Sequence, residues 1–272
     1  MPELPEVETV RRTLKDLILN RMINSVDIYF KNIIEYPYSQ EFKDKIKNQK
    51  INDIKRKGKW LMFELDDYYM LSHLRMEGKY FLKSNEPILK HEHIVFNLND
   101  GKTLRYHDTR KFGKIHLIDK DKVYNTKPLN ELGLEPWDKD LTSDYLKSKY
   151  KNKKLPIKTL LLDQSIITGI GNIYADEILF LSQINPLKKG FELKDDDLEN
   201  IIKYTRQVLS SAIEMGGTTI RSYESSEGVH GRFQNNLLVH NHEGDKCPKC
   251  GDIVLKIKVN GRGTYYCPNC QK

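Results

Sequence analysis

Four cysteines fall within the last 26 residues of this 272-residue chain, and no other feature of the sequence restricts its folding so tightly. They read Cys247-Pro-Lys-Cys250, then sixteen residues, then Cys267-Pro-Asn-Cys270. Each CxxC knuckle offers two thiolates to one ion, so the pair at this spacing predicts a tetrahedral zinc site. The competing reading is two disulfides in an exported chain. No export signal supports it, because charge begins at Glu3 and breaks the first apolar run. Four cysteines close the coordination shell and leave no position for a reacting water, so the zinc is expected to be structural.

The rest of the chain divides by pattern. Val7, Val10, Leu14, Leu17 and Ile18 recur at three- and four-residue steps and predict a first helix. Residues 22 to 118 read mostly as strand, in short β-branched and aromatic runs such as "KWLMFEL", "HIVFNL" and "TLRYH" separated by turn signals. Strands at this spacing suggest a sandwich. "NELGLEPWDKD" (130–140) reads as a linker into helices at "SDYLKSKY", "IKTLLLDQ" and "NIYADEILFL". A longer helix opens on Asp195 to Asp197 and stops at Gly216-Gly217, which suits the helix dipole and the glycine C-cap. Residues 218–236 have no period and read as a mobile loop. "KIKVNGRGTYYC" reads as a hairpin turning at Asn260-Gly261.

Lysine and arginine total 45 against 38 aspartate and glutamate, a formal charge of +7. That balance favours an acidic partner, nucleic acid first. No stretch approaches the roughly 18 apolar residues of a membrane helix, so no membrane partner is expected. Within "ITGIGNIYADE", Gly169, Gly171 and Asn172 precede a helix, where backbone N–H groups bind phosphate. An ordinary N-cap by Asn172 accounts for the pattern equally well. Arg262, at the hairpin tip, suits a second phosphate contact. Lys55, Arg56, Lys57 and Lys59 form one basic run and Lys151, Lys153 and Lys154 another; most such runs are solvated faces. In "DTRKFGK", Arg110 and Phe112 lie two apart. An aromatic beside a guanidinium can wedge into a base stack, although a phenylalanine taken alone is more often core.

"PELPEVETVRR", "HLRMEG", "DTRKFG", "GIGNIYADE" and "GTYYCPNCQ" together, in this order along the whole chain, resemble the formamidopyrimidine-DNA glycosylase family. The resemblance implies an α+β multidomain fold. A β-sandwich with an N-terminal helix (1–131) precedes a helix–two-turn–helix domain with a lesion loop (132–236) and a zinc-finger hairpin (237–272). It implies excision of oxidised purines from double-stranded DNA, then β,δ-elimination at the emptied site, by a monomer in the bacterial cytoplasm at the nucleoid. It also explains why the chain begins Met-Pro. With Met1 removed, Pro2 presents a secondary amine that in its neutral form can attack the sugar C1′. The resulting iminium is an electron sink, which makes this covalent catalysis of the Schiff-base kind. Glu3 matches the family's proton donor, Lys59 a proton donor for elimination, and Arg262 the arginine of the last elimination. His91 and Lys153 match contacts to the DNA backbone. Met76, Arg110 and Phe112 match the trio that fills the gap left by the extruded nucleotide. Glu6 and Glu8 read as structural acids. The family often carries Tyr-Gly-basic before the zinc cysteines, where this chain has His240-Asn241-His242. Two alternatives are an endonuclease VIII-type enzyme for oxidised pyrimidines and a non-catalytic zinc-bearing DNA-binding protein.

Overall fold

The computed structural model describes residues 1–218 and 231–272. It forms two compact units, one built on Met1–Asn130 and the other on Glu131–Thr218 with Arg232–Lys272. Most of the loop read at 218–236 therefore lies outside the described residues. Its end, Phe233–Asn236, is a 3-10 turn with Phe233 buried.

In the first unit, helix α1 (Leu4–Ile18) precedes ten strands and one further helix. The strands are β1 (Met22–Ile28), β2 (Ile34–Tyr36), β3 (Gln49–Lys50), β4 (Asp53–Lys57), β5 (Trp60–Glu64), β6 (Tyr68–His73), β7 (Lys79–Lys83), β8 (Glu92–Leu98), β9 (Thr103–His107) and β10 (Lys114–Asp119). Helix α2 (Ser39–Ile46) lies between β2 and β3. The strands form two five-stranded sheets, ordered β3-β1-β8-β9-β7 and β2-β10-β6-β5-β4. Neighbours are antiparallel except β2 with β10. Ile23, Val26, Ile94, Phe96 and Leu104 of one sheet share a core with Ile54, Leu61, Phe63, Met70 and Ile115 of the other. This is the expected sandwich.

Helix α1 lays Val7, Val10, Leu14 and Ile18 on that core. A fully buried aliphatic side chain contributes about 1.5–3 kcal/mol. The four together outweigh the helix's ion pairs, since partly exposed pairs contribute about 1 kcal/mol or less. Those pairs still fix orientation. Glu8 accepts from Arg11 and Arg12 on its own helix and from Arg56 on β4. Their guanidinium groups hold the Glu8 carboxyl below the usual carboxylate range, against the opposing effect of burial.

The second unit contains α3 (Ser143–Tyr150), α4 (Ile157–Leu161), α5 (Asn172–Leu181) and α6 (Asp195–Glu214), then the hairpin β11 (Leu255–Val259) and β12 (Arg262–Tyr266). Thr142 caps α3 by accepting the Tyr145 N–H, and Asp197 accepts the Lys194 N–H at the start of α6. Gly216 and Gly217 both adopt positive φ at its end. The hairpin turns at Asn260 (φ 43°) and Gly261 (φ 79°), the left-handed pair that a two-residue turn needs. No helix among the described residues is long and apolar enough to cross a membrane.

Candidate active site and nucleic-acid contacts

The amino terminus lies against the start of α1. Pro2 is buried and Glu3 is 2% exposed. The Glu3 N–H donates to Glu6 Oε2 at 2.8 Å, and its carbonyl accepts the Val7 N–H at 3.0 Å. Glu6 thus serves the start of α1, while Glu8 ties α1 to Arg56 of β4. Burial pushes the Met1 ammonium below its usual value. Lys59 pushes it the same way, while Glu3, Glu6 and Glu77 pull it back up. Lys59 occupies the two-residue turn Gly58-Lys59, which joins β4 to β5 through the pair Lys57↔Trp60. Gly58 takes φ 56° there, and Lys59 is only 5% exposed. The basic run at 55–59 is therefore not a free solvated face. Lys55 pairs with Glu64 at 2.5 Å, Arg56 pairs with Glu8, and Lys59 is enclosed.

Two loops beside this strand system carry the expected gap-filling trio. The first follows β6 and holds half-buried Met76. His73 Nδ1 accepts the Arg75 N–H at 3.0 Å, so the proton of the neutral ring sits on Nε2. Arg75 takes φ 52° as the chain turns. Burial, with help from Arg75 and Lys59, pushes His73 down to about 3 and keeps it neutral. The second loop follows β9. Fully buried Asp108 organises it, accepting from the Arg110 N–H (3.0 Å) and the Gly113 N–H (2.8 Å). The Arg110 guanidinium lies 5.0 Å from the centroid of the Phe112 ring. Phe112 is 51% exposed, so the reading of it as core is wrong for this chain. Half-buried His91 carries the carbonyl that accepts the Asp108 N–H, and its ring stands edge-on to His93 and His107.

In the second unit the glycine turn is held by Gln164, which donates to the Ile170 carbonyl and accepts the Gly169 N–H. Gly169 has φ 100°. Gly171, not Asn172, is the N-cap of α5, which overturns the capping alternative for Asn172. The Asn172 side chain instead donates to the Gly263 carbonyl at 3.0 Å, tying the helix start to β12 beside exposed Arg262. Lys153 is exposed, with its backbone anchored to Tyr150 and Phe191.

A buried network that sequence reasoning missed runs behind this turn. Lys158 donates to the Asn172 carbonyl and to Asp176, whose other oxygen meets His240 Nδ1 at 2.7 Å. Glu177 accepts the N–H groups of Leu238, Val239 and His240. His240 is thus a packing residue, and Asn241 takes φ 66°. Two adjacent acids on an otherwise apolar helix, "YADEILFL", were the available signal.

The four cysteine sulfurs lie within 4.8 Å of one another. Cys247 and Cys270 are 3.8 Å apart and Cys250 and Cys267 3.5 Å apart, far beyond a disulfide bond. A tetrahedron with Zn–S near 2.3 Å has edges of about 3.8 Å, so the sulfurs fit one zinc ion. The site joins the hairpin to α5 through a small core of Phe180, Val239, Val254 and Tyr265.

Fold and site together define a nucleic-acid enzyme of two units, with an enclosed amino terminus and a structural zinc finger. The formamidopyrimidine-DNA glycosylase N-terminal domain matches residues 1–115, its helix–two-turn–helix domain 132–224, and a zinc finger found in such glycosylases and in isoleucyl-tRNA synthetases 244–272. Formamidopyrimidine-DNA glycosylases of Oceanobacillus iheyensis and Bacillus licheniformis are 45% and 46% identical over 100% of this chain and 98% and 100% of their own. A Lactococcus lactis glycosylase variant bound to Fapy-dG DNA superposes with TM-score 0.94 at 38% identity, covering all of both chains. The L. lactis protein bound to abasic-site DNA gives 0.93 at 39%, covering 99% of each. The chain belongs to the formamidopyrimidine-DNA glycosylase family, the DNA glycosylases of base excision repair, and its finger holds one structural zinc.

Proposed function

We propose that this glycosylase removes oxidised purines, 8-oxoguanine and formamidopyrimidines, from duplex DNA and then cleaves the strand as a lyase. The observation that carries the reading is the amino terminus, whose amine is depressed by burial and ringed by Glu3, Glu6, Lys59 and Glu77. Removal of Met1 passes that role to Pro2. The neutral Pro2 nitrogen bonds to C1′, the glycosidic electrons leave with the base, and the proton that the nitrogen sheds goes to the departing base. Glu3 donates a proton to the ring oxygen as the sugar opens, giving an iminium. Loss of a C2′ proton feeds electrons into the iminium and expels the 3′ phosphate. Lys59 supplies protons for the eliminations, and Arg262 meets the phosphate of the last one. His91, Lys153, Asn172 and the α5 start take phosphates, and Met76, Arg110 and Phe112 fill the emptied stack. Relatives crystallised on Fapy-dG and abasic-site DNA support this substrate class. The enzyme acts as a monomer in the cytoplasm, at the nucleoid.

Borohydride added during turnover on 8-oxoguanine duplex should join protein to DNA at residue 2, in protein lacking Met1. Acetylating that terminus should abolish both base release and strand cleavage while DNA binding persists. Cleavage by the acetylated protein would assign the attack to a lysine and overturn the reading.

A further inference from the structure

Tyr106 lies in the middle of β9, fully buried, with its ring edge-on to Tyr80 at 5.1 Å. Its hydroxyl end reaches two glycines. A Cβ on Gly78 would stand 2.2 Å from the Tyr106 oxygen, and one on Gly113 only 1.7 Å from it. Neither distance is sterically possible, so with the phenol in place neither position has room for a side chain. The requirement is one of space, because neither glycine has positive φ. Gly78 closes the loop that carries Met76, through its N–H bond to the Leu74 carbonyl at 2.9 Å. Gly113 closes the loop that carries Arg110 and Phe112, through Asp108. One phenol therefore touches the far ends of both loops. Close-packed interiors transmit displacements of this kind rather than absorb them.

We propose that Tyr106 is a positioning residue for nucleotide extrusion: its hydroxyl end, set against the backbones of Gly78 and Gly113, fixes the spacing between the Met76 loop and the Arg110–Phe112 loop. The proposal rests on the gap-filling role given to those three residues. It assigns Tyr106 no contact with DNA. It predicts a defect confined to the step that inserts the trio, since a lesion must be drawn from a stacked duplex and an abasic site has no base to unstack.

The test uses the full-length zinc-loaded protein in single turnover. It compares 8-oxoguanine release from duplex with cleavage at a pre-formed abasic site. Tyr106→Phe keeps the ring and withdraws only the oxygen between the loops. It should slow base release about tenfold and abasic-site cleavage less than about threefold, because misplacement by an ångström costs up to about a hundredfold. Gly113→Ala should show the same selective loss more strongly, and adding Tyr106→Leu, which clears room for the new methyl, should recover part of it. Equal losses on both substrates, or strictly additive effects in the double variant, would overturn the proposal. Phe112→Ala run alongside separates the two ideas. If it too affects both substrates equally, the gap-filling reading fails. If it is selective and Tyr106→Phe is not, only the role of Tyr106 fails.

Discussion

Lys59 sits in a two-residue turn, a place where lysines are ordinarily solvated, yet it is almost shut off from water next to the amino terminus. Its charge joins burial in pushing the Met1 ammonium below its usual value, and Glu77 works in the opposite direction. Lys59→Gln should therefore move the acid limb of the borohydride-trapping profile to higher pH, and Glu77→Gln should move it lower. A pH series on abasic-site DNA measures both shifts. His73 gives a second pH signature, in stability. Its folded value is about 3 against 6.5 for the free side chain. Between those values the unfolded chain binds the proton and the folded chain does not, so this group takes stability away as pH falls from 6.5 towards 3. The full difference is on the order of 5 kcal/mol. Urea unfolding at pH 7 and pH 4.5 should show a steeper loss for the parent than for His73→Asn, whose amide oxygen can still accept the Arg75 N–H.

The hairpin β11–β12 has little core of its own, and its bond from Asn172 to Gly263 places Arg262. Zinc binding should therefore supply most of the folding energy of this element, as in other small metal modules. Chelation, or Cys250→Ser, should abolish tight DNA binding in a mobility-shift assay while the near-ultraviolet signal of the β-sandwich stays intact. This element was legible in the sequence because its constraints are local: paired cysteines, an Asn-Gly turn and strand residues. Helices α5 and α6 were legible for the same reason, through glycine and acidic end signals. Helix α2 was not. It buries only Phe42 and Ile46, too few to set a period in eight residues. Strand β4 read as a basic run because its charges are neutralised by partners distant in sequence, Glu8 and Glu64. In the site, the motif residues could be named from the resemblance, but His73, Asp108 and Tyr106 act through contacts that only the fold creates.

Across the whole molecule, the excess of basic over acidic residues should make binding to any duplex fall steeply as salt rises. Exposed Lys153, if it meets one phosphate, accounts for about one unit of the log–log slope. Lys153→Ala should flatten the slope by about that much and weaken damaged and undamaged duplexes alike, as measured by fluorescence anisotropy from 50 to 200 mM salt. Burial of the amino terminus carries a consequence of timing. The first strand is completed from far along the chain: the Met22 N–H donates to Asn99 across 77 positions, and β1 pairs with β8. Until a ribosome has made that distant partner, α1 has no finished surface to lie on, and Met1-Pro2 stays open to the aminopeptidase that trims new proteins. Once the sandwich closes, Pro2 is buried. With Pro2 as the proposed nucleophile, the order in which the chain is made, trimmed and folded would set how many molecules acquire it.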